Sequence, residues 1–169
     1  MLQQENHKKL LELIRCNEGI IFNICNSYCN NKTDREDLAQ EIVYQLLKSY
    51  RSFNDSYKFS TWMYRVALNV AISFYRKNKK ENKIELAEDQ HGSHDEMNGH
   101  AFELEQNLVR LRGFINELKE LDKALMILYL ESKSYNEIAE IMGITETNVA
   151  TKISRIKEAL RKNFSNLNK

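Results

Sequence analysis

The sequence contains no proline and only five glycines among its 169 residues, so it has few of the residues that most often break helices. Leu, Ile, Lys and Glu recur at helical spacing, whereas the polar–apolar alternation typical of β-strands is scarce. Hydrophobic residues make up 42% of the chain, enough for a packed core. This pattern predicts an all-α fold, arranged as one large domain or two small ones.

Several protein classes are disfavoured by the sequence. No apolar run approaches the roughly 18 residues of a transmembrane helix. The first residues, MLQQENHKKLLELI, lack the basic start, apolar stretch and cleavage site of a signal peptide. Three cysteines is an odd number and implies no disulfide framework. We therefore expect a protein of the reducing cytoplasm.

The net charge of +1 conceals three blocks of different sign. Residues 1–80 contain 13 basic and 8 acidic residues. Residues 81–105 contain 1 basic and 8 acidic residues, and residues 106–169 contain 11 basic and 8 acidic residues. The acidic block also holds Gly92, Gly99 and three of the four histidines, and its few apolar residues show no periodicity. We therefore predict an acidic flexible linker over 81–104 that joins two small helical domains, 1–80 and 105–169.

About four helices are predicted before the linker. Asp34 is a candidate N-cap of the third helix, and Ser60 is a candidate N-cap of the fourth. The third helix places an apolar stripe on one face, formed by Leu38, Ile42 and Leu46.

The segment NEIAEIMGITETNVATKISRIKEAL, residues 136–160, has the pattern of two helices separated by a short turn. Ser134 and Thr145 are candidate N-caps of the two helices, and Gly143 is suited to a left-handed end of the first. Ala139 is small where the helices must cross closely. The second helix has an inner face of Val149, Ile153, Ile156 and Leu160. The pattern predicts a helix-turn-helix in the C-terminal domain.

The outer face of the last helix carries side chains that can hydrogen-bond base edges or phosphates. They are Thr147, Asn148, Thr151, Lys152, Arg155 and Lys157. The alternative interpretation is a plain helical hairpin with a solvated basic face.

A second group of candidate nucleic-acid-binding side chains lies on the predicted helix TWMYRVALNVAISFYRK. One face carries Trp62, Arg65, Asn69, Ser73 and Arg76, and the preceding loop adds Phe53, Tyr57, Lys58 and Phe59. Aromatic rings and guanidinium groups suit a separated single strand, because bases stack on rings and phosphates bind cations. The other face should be buried and consists of Met63, Val66, Ala67, Val70 and Phe74. The alternative is that the aromatic residues belong to the core.

A zinc or redox site is a competing interpretation of the cysteines. Cys25 and Cys29 are four residues apart, Cys16 lies upstream, and the linker supplies His91, His94 and His100. The spacing lacks a paired C-x-x-C, so buried free thiols and solvated histidines are expected instead. The chain also has no Gly-rich phosphate loop or nucleophile elbow. We expect no metal, no cofactor and no catalytic site.

Taken together, these segments resemble a bacterial sigma factor of the extracytoplasmic-function (ECF) group of the sigma-70 family. DREDLAQEIVYQLLKSY is similar to that family's core-polymerase-binding helix, and FSTWMYRVALNVAISFYRKNKK to its −10 recognition and melting helix. LDKALMILYLESKSYNEIAEIMGITETNVATKISRIKEALRK is similar to its −35-binding domain. The resemblance covers about residues 8–80 and 105–165, nearly everything outside the linker.

The resemblance implies three functional surfaces. The clamp of the polymerase largest subunit would contact Asp37, Gln40 and Glu41. The −10 strand would contact Phe53, Lys58, Trp62, Arg65, Asn69 and Arg76, with Phe53 and Asn69 framing a pocket for a flipped base. The −35 duplex would contact Thr147, Asn148, Thr151, Lys152 and Arg155.

The implied function is promoter-specific transcription initiation with core RNA polymerase. The expected partners are core polymerase, promoter DNA and an anti-sigma protein that could hold the chain near the membrane, with no small-molecule substrate. The alternative is a helix-turn-helix regulator that binds duplex DNA without polymerase. Such a regulator would not need the Trp62–Arg76 face.

Overall fold

The computed structural model describes residues 2–54, 56–81 and 99–166, and describes side chains within 7–54, 56–78 and 103–165. The helices are α1 (Leu2–Cys16), α2 (Glu18–Tyr28), α3 (Lys32–Ser49), α4 (Phe59–Glu81), α5 (Gly99–Glu117), α6 (Glu120–Leu130), α7 (Tyr135–Met142) and α8 (Glu146–Asn166). A short 3-10 turn, Tyr50–Ser52, follows α3. The described parts contain no β-strand, and the all-α prediction is confirmed.

The N-terminal half is a bundle in which α2, α3 and α4 pack against one another. The predicted stripe of Leu38, Ile42 and Leu46 is fully buried. Leu10 of α1 and Ile24 of α2 close the same core. Burial of each such side chain stabilises the fold by about 1.5–3 kcal/mol, which explains why these helices associate.

Helix α4 is buried over a wider face than its sequence predicts. Met63 and Ala67 are fully buried as expected, but Tyr64, Leu68 and Ile72 are buried as well. The reason is that α4 has neighbours on two sides, α2 and α3 on one and α6 and α7 on the other. Val66, Val70 and Phe74, also expected inside, are partly buried.

The C-terminal half contains the predicted helix-turn-helix, formed by α7 and α8. Ser134 and Glu137 form a reciprocal capping box at the start of α7. Gly143 ends α7 at φ +66°, and both its N–H and that of Ile144 donate to the carbonyl of Ala139. The hydroxyl of Thr145 then accepts from the N–H of Asn148 at 3.2 Å and caps α8. Such a cap contributes about 1 kcal/mol. The turn is therefore fixed by local hydrogen bonds at both ends.

Three of the four residues predicted for the inner face of α8 are buried. Val149 and Ile153 of α8 are fully buried and Ile156 is nearly so. Val149 and Ile153 pack in the same cluster as Ile138 and Ile141 of α7, and Leu160, at the end of the predicted face, is partly buried.

Three predicted helix boundaries are wrong. The N-cap of α3 is Asn31, whose side-chain oxygen accepts from the N–H of Asp34 at 2.8 Å, so Asp34 lies inside the helix. Helix α4 begins at Phe59, one residue before the expected cap Ser60. Helix α5 begins at Gly99, within the segment assigned to the linker. Residues 82–98 of the predicted linker, with His91 and His94, lie outside the described residues.

Candidate nucleic-acid and polymerase interfaces

An aromatic cluster joins the loop after α3 to the first turn of α4. Phe53 and Trp62 lie at its centre, with ring centroids 5.2 Å apart. Tyr50 stacks on Phe53 at 6.0 Å, and Phe59 meets Phe53 edge to face at 5.7 Å. Both central rings are partly buried. The cluster holds the loop in place and leaves part of each ring exposed.

The cationic side chains near this cluster differ in whether they have a partner in the C-terminal half. Lys58 is exposed. The guanidinium carbon of Arg65 lies 5.3 Å from the ring centroid of Tyr57, and its Nη2 donates to the carbonyl of Glu140 in α7 at 2.6 Å. Arg76, three turns further along α4, is exposed and lies 3.8 Å from a carboxylate oxygen of Glu120 in α6. Both arginines therefore face the C-terminal half.

Asn69 is exposed on the same face of α4. Its side-chain amide makes no hydrogen bond with any residue that the structure describes, so it does not tie the loop to the helix there. It lines an open groove of about 650 Å³ between α3 and α4, together with Asp37, Glu41 and Lys77. Phe53 is not among the residues that line this groove.

A second cavity, of about 340 Å³, also contains Asn69 and lies between the two halves of the protein. From α4 it is lined by Arg65, Leu68, Asn69 and Ile72, and from the C-terminal half by Leu121, Ile141, Met142 and Gly143. Phe53 is absent from this lining too. In this arrangement the two residues that were expected to frame one base pocket do not share either cavity.

The outer face of α8 is open to solvent. Thr147, Asn148, Thr151, Lys152 and Arg155 are all exposed. The Thr151 hydroxyl donates to the carbonyl of Thr147 at 2.9 Å, and Lys152 lies 3.7 Å from a carboxylate oxygen of Asp122. Arg155 has no side-chain partner among the described residues. The predicted −35 residues therefore lie together on one solvent-exposed face of α8.

Lys157 does not belong to that exposed face, although its sequence position suggested that it would. Its ammonium donates to the hydroxyl of Tyr129 at 2.9 Å and lies 4.8 Å from the centroid of that ring. The hydrogen bond to Tyr129 raises the pKa of Lys157. Lys157 thus connects α8 to α6.

A polar face of α3 lies opposite its buried stripe. Asp37, Gln40 and Glu41 are all exposed, and the Gln45 amide donates to Glu41 at 2.8 Å. Tyr44 adds a ring that is 56% exposed, with the Lys48 ammonium 5.9 Å from its centroid. Sequence reasoning missed Tyr44, although it lies three residues after Glu41 and therefore on the same helix face.

The cysteines are not arranged as a metal site within the described residues. Cys25 and Cys29 are buried in the core of the N-terminal half, and Cys16 is exposed. Burial raises the pKa of Cys25 to about 11 and that of Cys29 to about 12.

No helix in the described ranges is long and apolar enough to cross a membrane.

Comparison with known proteins identifies two family regions in this chain. The Sigma-70 region 2 model matches residues 13–81, and the Sigma-70 region 4 model matches residues 108–160. The ECF RNA polymerase sigma factor SigW of Bacillus subtilis (strain 168) is 31% identical over 157 residues, which span 87% of this chain and 84% of SigW. SigM of the same strain is 30% identical over 144 residues, covering 83% of this chain and 86% of SigM.

Two solved structures share the fold. One is CnrH in complex with the cytosolic domain of CnrY, with a TM-score of 0.65 and 19% identity over 98% of this chain and 90% of that chain. The other is the sigma factor RpoE in complex with the anti-sigma factor NepR from Bartonella quintana. Its TM-score is 0.65, with 17% identity over 94% of this chain and 98% of that chain.

Proposed function

The chain belongs to the ECF group of the sigma-70 family, and from that premise we propose that it binds core RNA polymerase, selects promoters through two DNA surfaces and opens the −10 element. The observation that carries this proposal is the presence of both sigma regions, in order, on one chain. We divide the chain into a polymerase- and −10-binding domain (1–80), an acidic linker (81–104) and a −35-binding domain (105–169).

The −10 surface in this proposal is the face of α4 that carries Asn69, together with the preceding loop. It comprises Phe53, Lys58, Trp62, Arg65, Asn69 and Arg76. Unpairing DNA costs roughly 1.4 kcal/mol per stacked step. A protein without ATP chemistry must offset that cost by holding the separated strand. Partly exposed rings can stack on bases, and the cations can bind the flanking phosphates.

Asn69 is the residue we propose for base discrimination. Its amide both donates and accepts hydrogen bonds, so it can distinguish one base edge from another. The amide is exposed and has no partner among the described residues, which leaves it available for a base. A base flipped towards Asn69 would be read by its amide, while Phe53 would stack on a neighbouring part of the strand.

The −35 surface is the outer face of α8, with Thr147, Asn148, Thr151, Lys152 and Arg155. A recognition helix of a helix-turn-helix enters the major groove and presents such side chains to base edges. Arg155 is suited to a bidentate contact with guanine, and Lys152 to a phosphate.

The polymerase surface is the polar face of α3, with Asp37, Gln40 and Glu41. It lies on the opposite side of α3 from the core and is open to a large partner. One structural relative is the sigma factor RpoE in complex with the anti-sigma factor NepR, and the other is CnrH in complex with the cytosolic domain of CnrY. We propose that an anti-sigma protein also binds this chain. We further propose that the protein acts in the cytoplasm, without catalytic chemistry or a cofactor.

Replacing Asn69 with Ala tests the −10 assignment. The variant should transcribe duplex promoters more weakly and show a changed preference at one −10 position, with its melting temperature nearly unchanged. On templates in which the −10 strands are already unpaired, the rate defect should shrink while the altered preference persists. Asn30→Ala, at another exposed asparagine, is the matched control.

The readouts are run-off transcription on a promoter panel and thermal unfolding followed by circular dichroism. A loss of several degrees in melting temperature with no change in base preference would mean that Asn69 is structural.

A further inference from the structure

We infer that a second copy of this chain covers the apolar groove between α5 and α8, and that the two copies pair through antiparallel α5 helices. Pairing of this kind goes beyond the proposed function, because it needs neither polymerase nor DNA. Three features of the C-terminal half support it: exposed leucines on α5, the groove that they line, and the order of charges beside them.

Helix α5 carries leucine side chains that the rest of the described chain leaves open to solvent. Leu104 is 60% exposed and Leu108 is 45% exposed. Leu111 and Ile115 continue the row and are partly covered. The four residues are spaced 4, 3 and 4 apart, so they lie on one face of the helix. This is the spacing through which two helices pack along a shared seam.

The leucines line a groove rather than a flat surface. The groove has a volume of about 330 Å³ and lies between α5 and the end of α8. Leu104, Leu108 and Leu111 line it from α5, and Leu160 and Phe164 line it from α8. Exposed apolar surface that is gathered in one place on a protein marks a site that binds another apolar surface. The apolar face of a second α5 supplies such a surface.

The charges beside the leucine row specify how two α5 helices would lie. Glu105 follows Leu104 and Arg112 follows Leu111, so both charges flank the same edge of the apolar face. Both side chains are exposed, and neither has a side-chain partner among the described residues. In an antiparallel pair with twofold symmetry, Glu105 of each copy lies beside Arg112 of the other. In a parallel pair, like charges would lie at the same level.

This self-complementarity is the reason for choosing a second copy as the occupant. A twofold interface requires one surface that complements itself after rotation, and the α5 face does so in both its leucines and its charges. Exposed ion pairs contribute little free energy, so the charges set the orientation while burial of the leucines drives association. None of the groove residues belongs to the proposed DNA or polymerase surfaces.

Sedimentation velocity of the purified, full-length protein measures the pairing. The wild type should shift from monomer to dimer as its concentration rises, because association follows mass action. Leu108→Glu places a carboxylate in the apolar face and should keep the protein monomeric over the same concentrations. Gln106→Glu is the control, because it adds the same charge at an exposed position on the opposite side of α5. It should pair as the wild type does.

Charge reversals test the antiparallel arrangement. Glu105→Arg should raise the dissociation constant of the dimer about tenfold, because two attractive pairs become repulsive. Arg112→Glu should have a similar effect. The double variant should restore the wild-type constant, since it exchanges the charges within each pair. Glu117→Arg makes the same charge change as Glu105→Arg on the opposite, exposed side of α5 and should leave the constant unchanged.

Each alternative outcome is distinct. A wild type that stays monomeric up to about 0.5 mM would overturn the inference. A double charge variant that pairs no better than the single variants would overturn the antiparallel arrangement. If Leu108→Glu leaves pairing intact but binds core polymerase more weakly than Gln106→Glu does, the groove serves polymerase and not a second copy. The charge variants alter exposed side chains only, so they remain informative if Leu108→Glu fails to fold.

Discussion

At the scale of single residues, burial distinguishes two of the three cysteine thiols from the third. Cys25 and Cys29 are buried, and burial raises their pKa from an ordinary value of 9.0 to about 11 and about 12. Cys16 is exposed. Because the thiolate is the reactive form, the buried pair should be nearly inert and Cys16 should react freely.

Alkylation of the folded protein tests this difference. With iodoacetamide at about pH 8, intact-mass spectrometry should find one adduct, at the exposed Cys16. Cys16→Ser should show none until the protein is denatured. Rapid native modification of Cys25 or Cys29 would show that the N-terminal core is open in solution.

The raised pKa values of Cys25 and Cys29 also predict how the stability of the fold changes with pH. Since the folded state holds both thiols protonated, ionisation favours the unfolded chain. The free energy of unfolding should be insensitive to these thiols below about pH 8.5 and fall as the pH rises from there through the folded values. Cys25→Ala with Cys29→Ala should make this alkaline loss smaller, as measured by urea unfolding between neutral and alkaline pH.

At the scale of elements, two residues of α8 are proposed to make different contacts with DNA. Arg155 would contact a base, and Lys152 would contact a phosphate. Arg155→Ala should weaken −35-dependent transcription and change base preference, since a lost bidentate contact costs about 1–3 kcal/mol. Lys152→Ala should weaken transcription from all promoters to a similar extent. It should also reduce the slope of log binding affinity against log salt concentration by about 1. Lys162→Ala removes an exposed charge further along α8 and is the control. Unchanged transcription with both test variants on a promoter panel would contradict the recognition-helix assignment.

Elements whose determinants are local could be predicted from the sequence. The helix-turn-helix depends on Ser134, Gly143 and Thr145, whose caps and backbone turn act within four residues. The start of α3 was misplaced because Asn31 and Asp34 are both good capping residues, and only the structure shows which one accepts the hydrogen bond. Lys157 was misassigned because its partner Tyr129 is 28 residues away.

At the scale of the whole molecule, the packing of one half on the other was not predictable. The sequence indicates two units, but the burial of Leu68, Ile72 and Lys123 depends on contacts between distant parts of the chain. An apolar residue on α4 gives no sign of which neighbour will cover it. For the same reason, the pocket expected between Phe53 and Asn69 remains a prediction about the DNA-bound protein.

We propose above all that this chain confers promoter specificity on core polymerase. The most direct test is transcription of sheared chromosomal DNA from the source organism by purified core polymerase, with and without the protein, followed by sequencing of transcript 5′ ends. We predict defined start sites that appear only when both are present, and weak binding of the same duplexes by the protein alone. Tight, specific duplex binding without polymerase, with no new start sites in its presence, would contradict the account and favour a helix-turn-helix regulator.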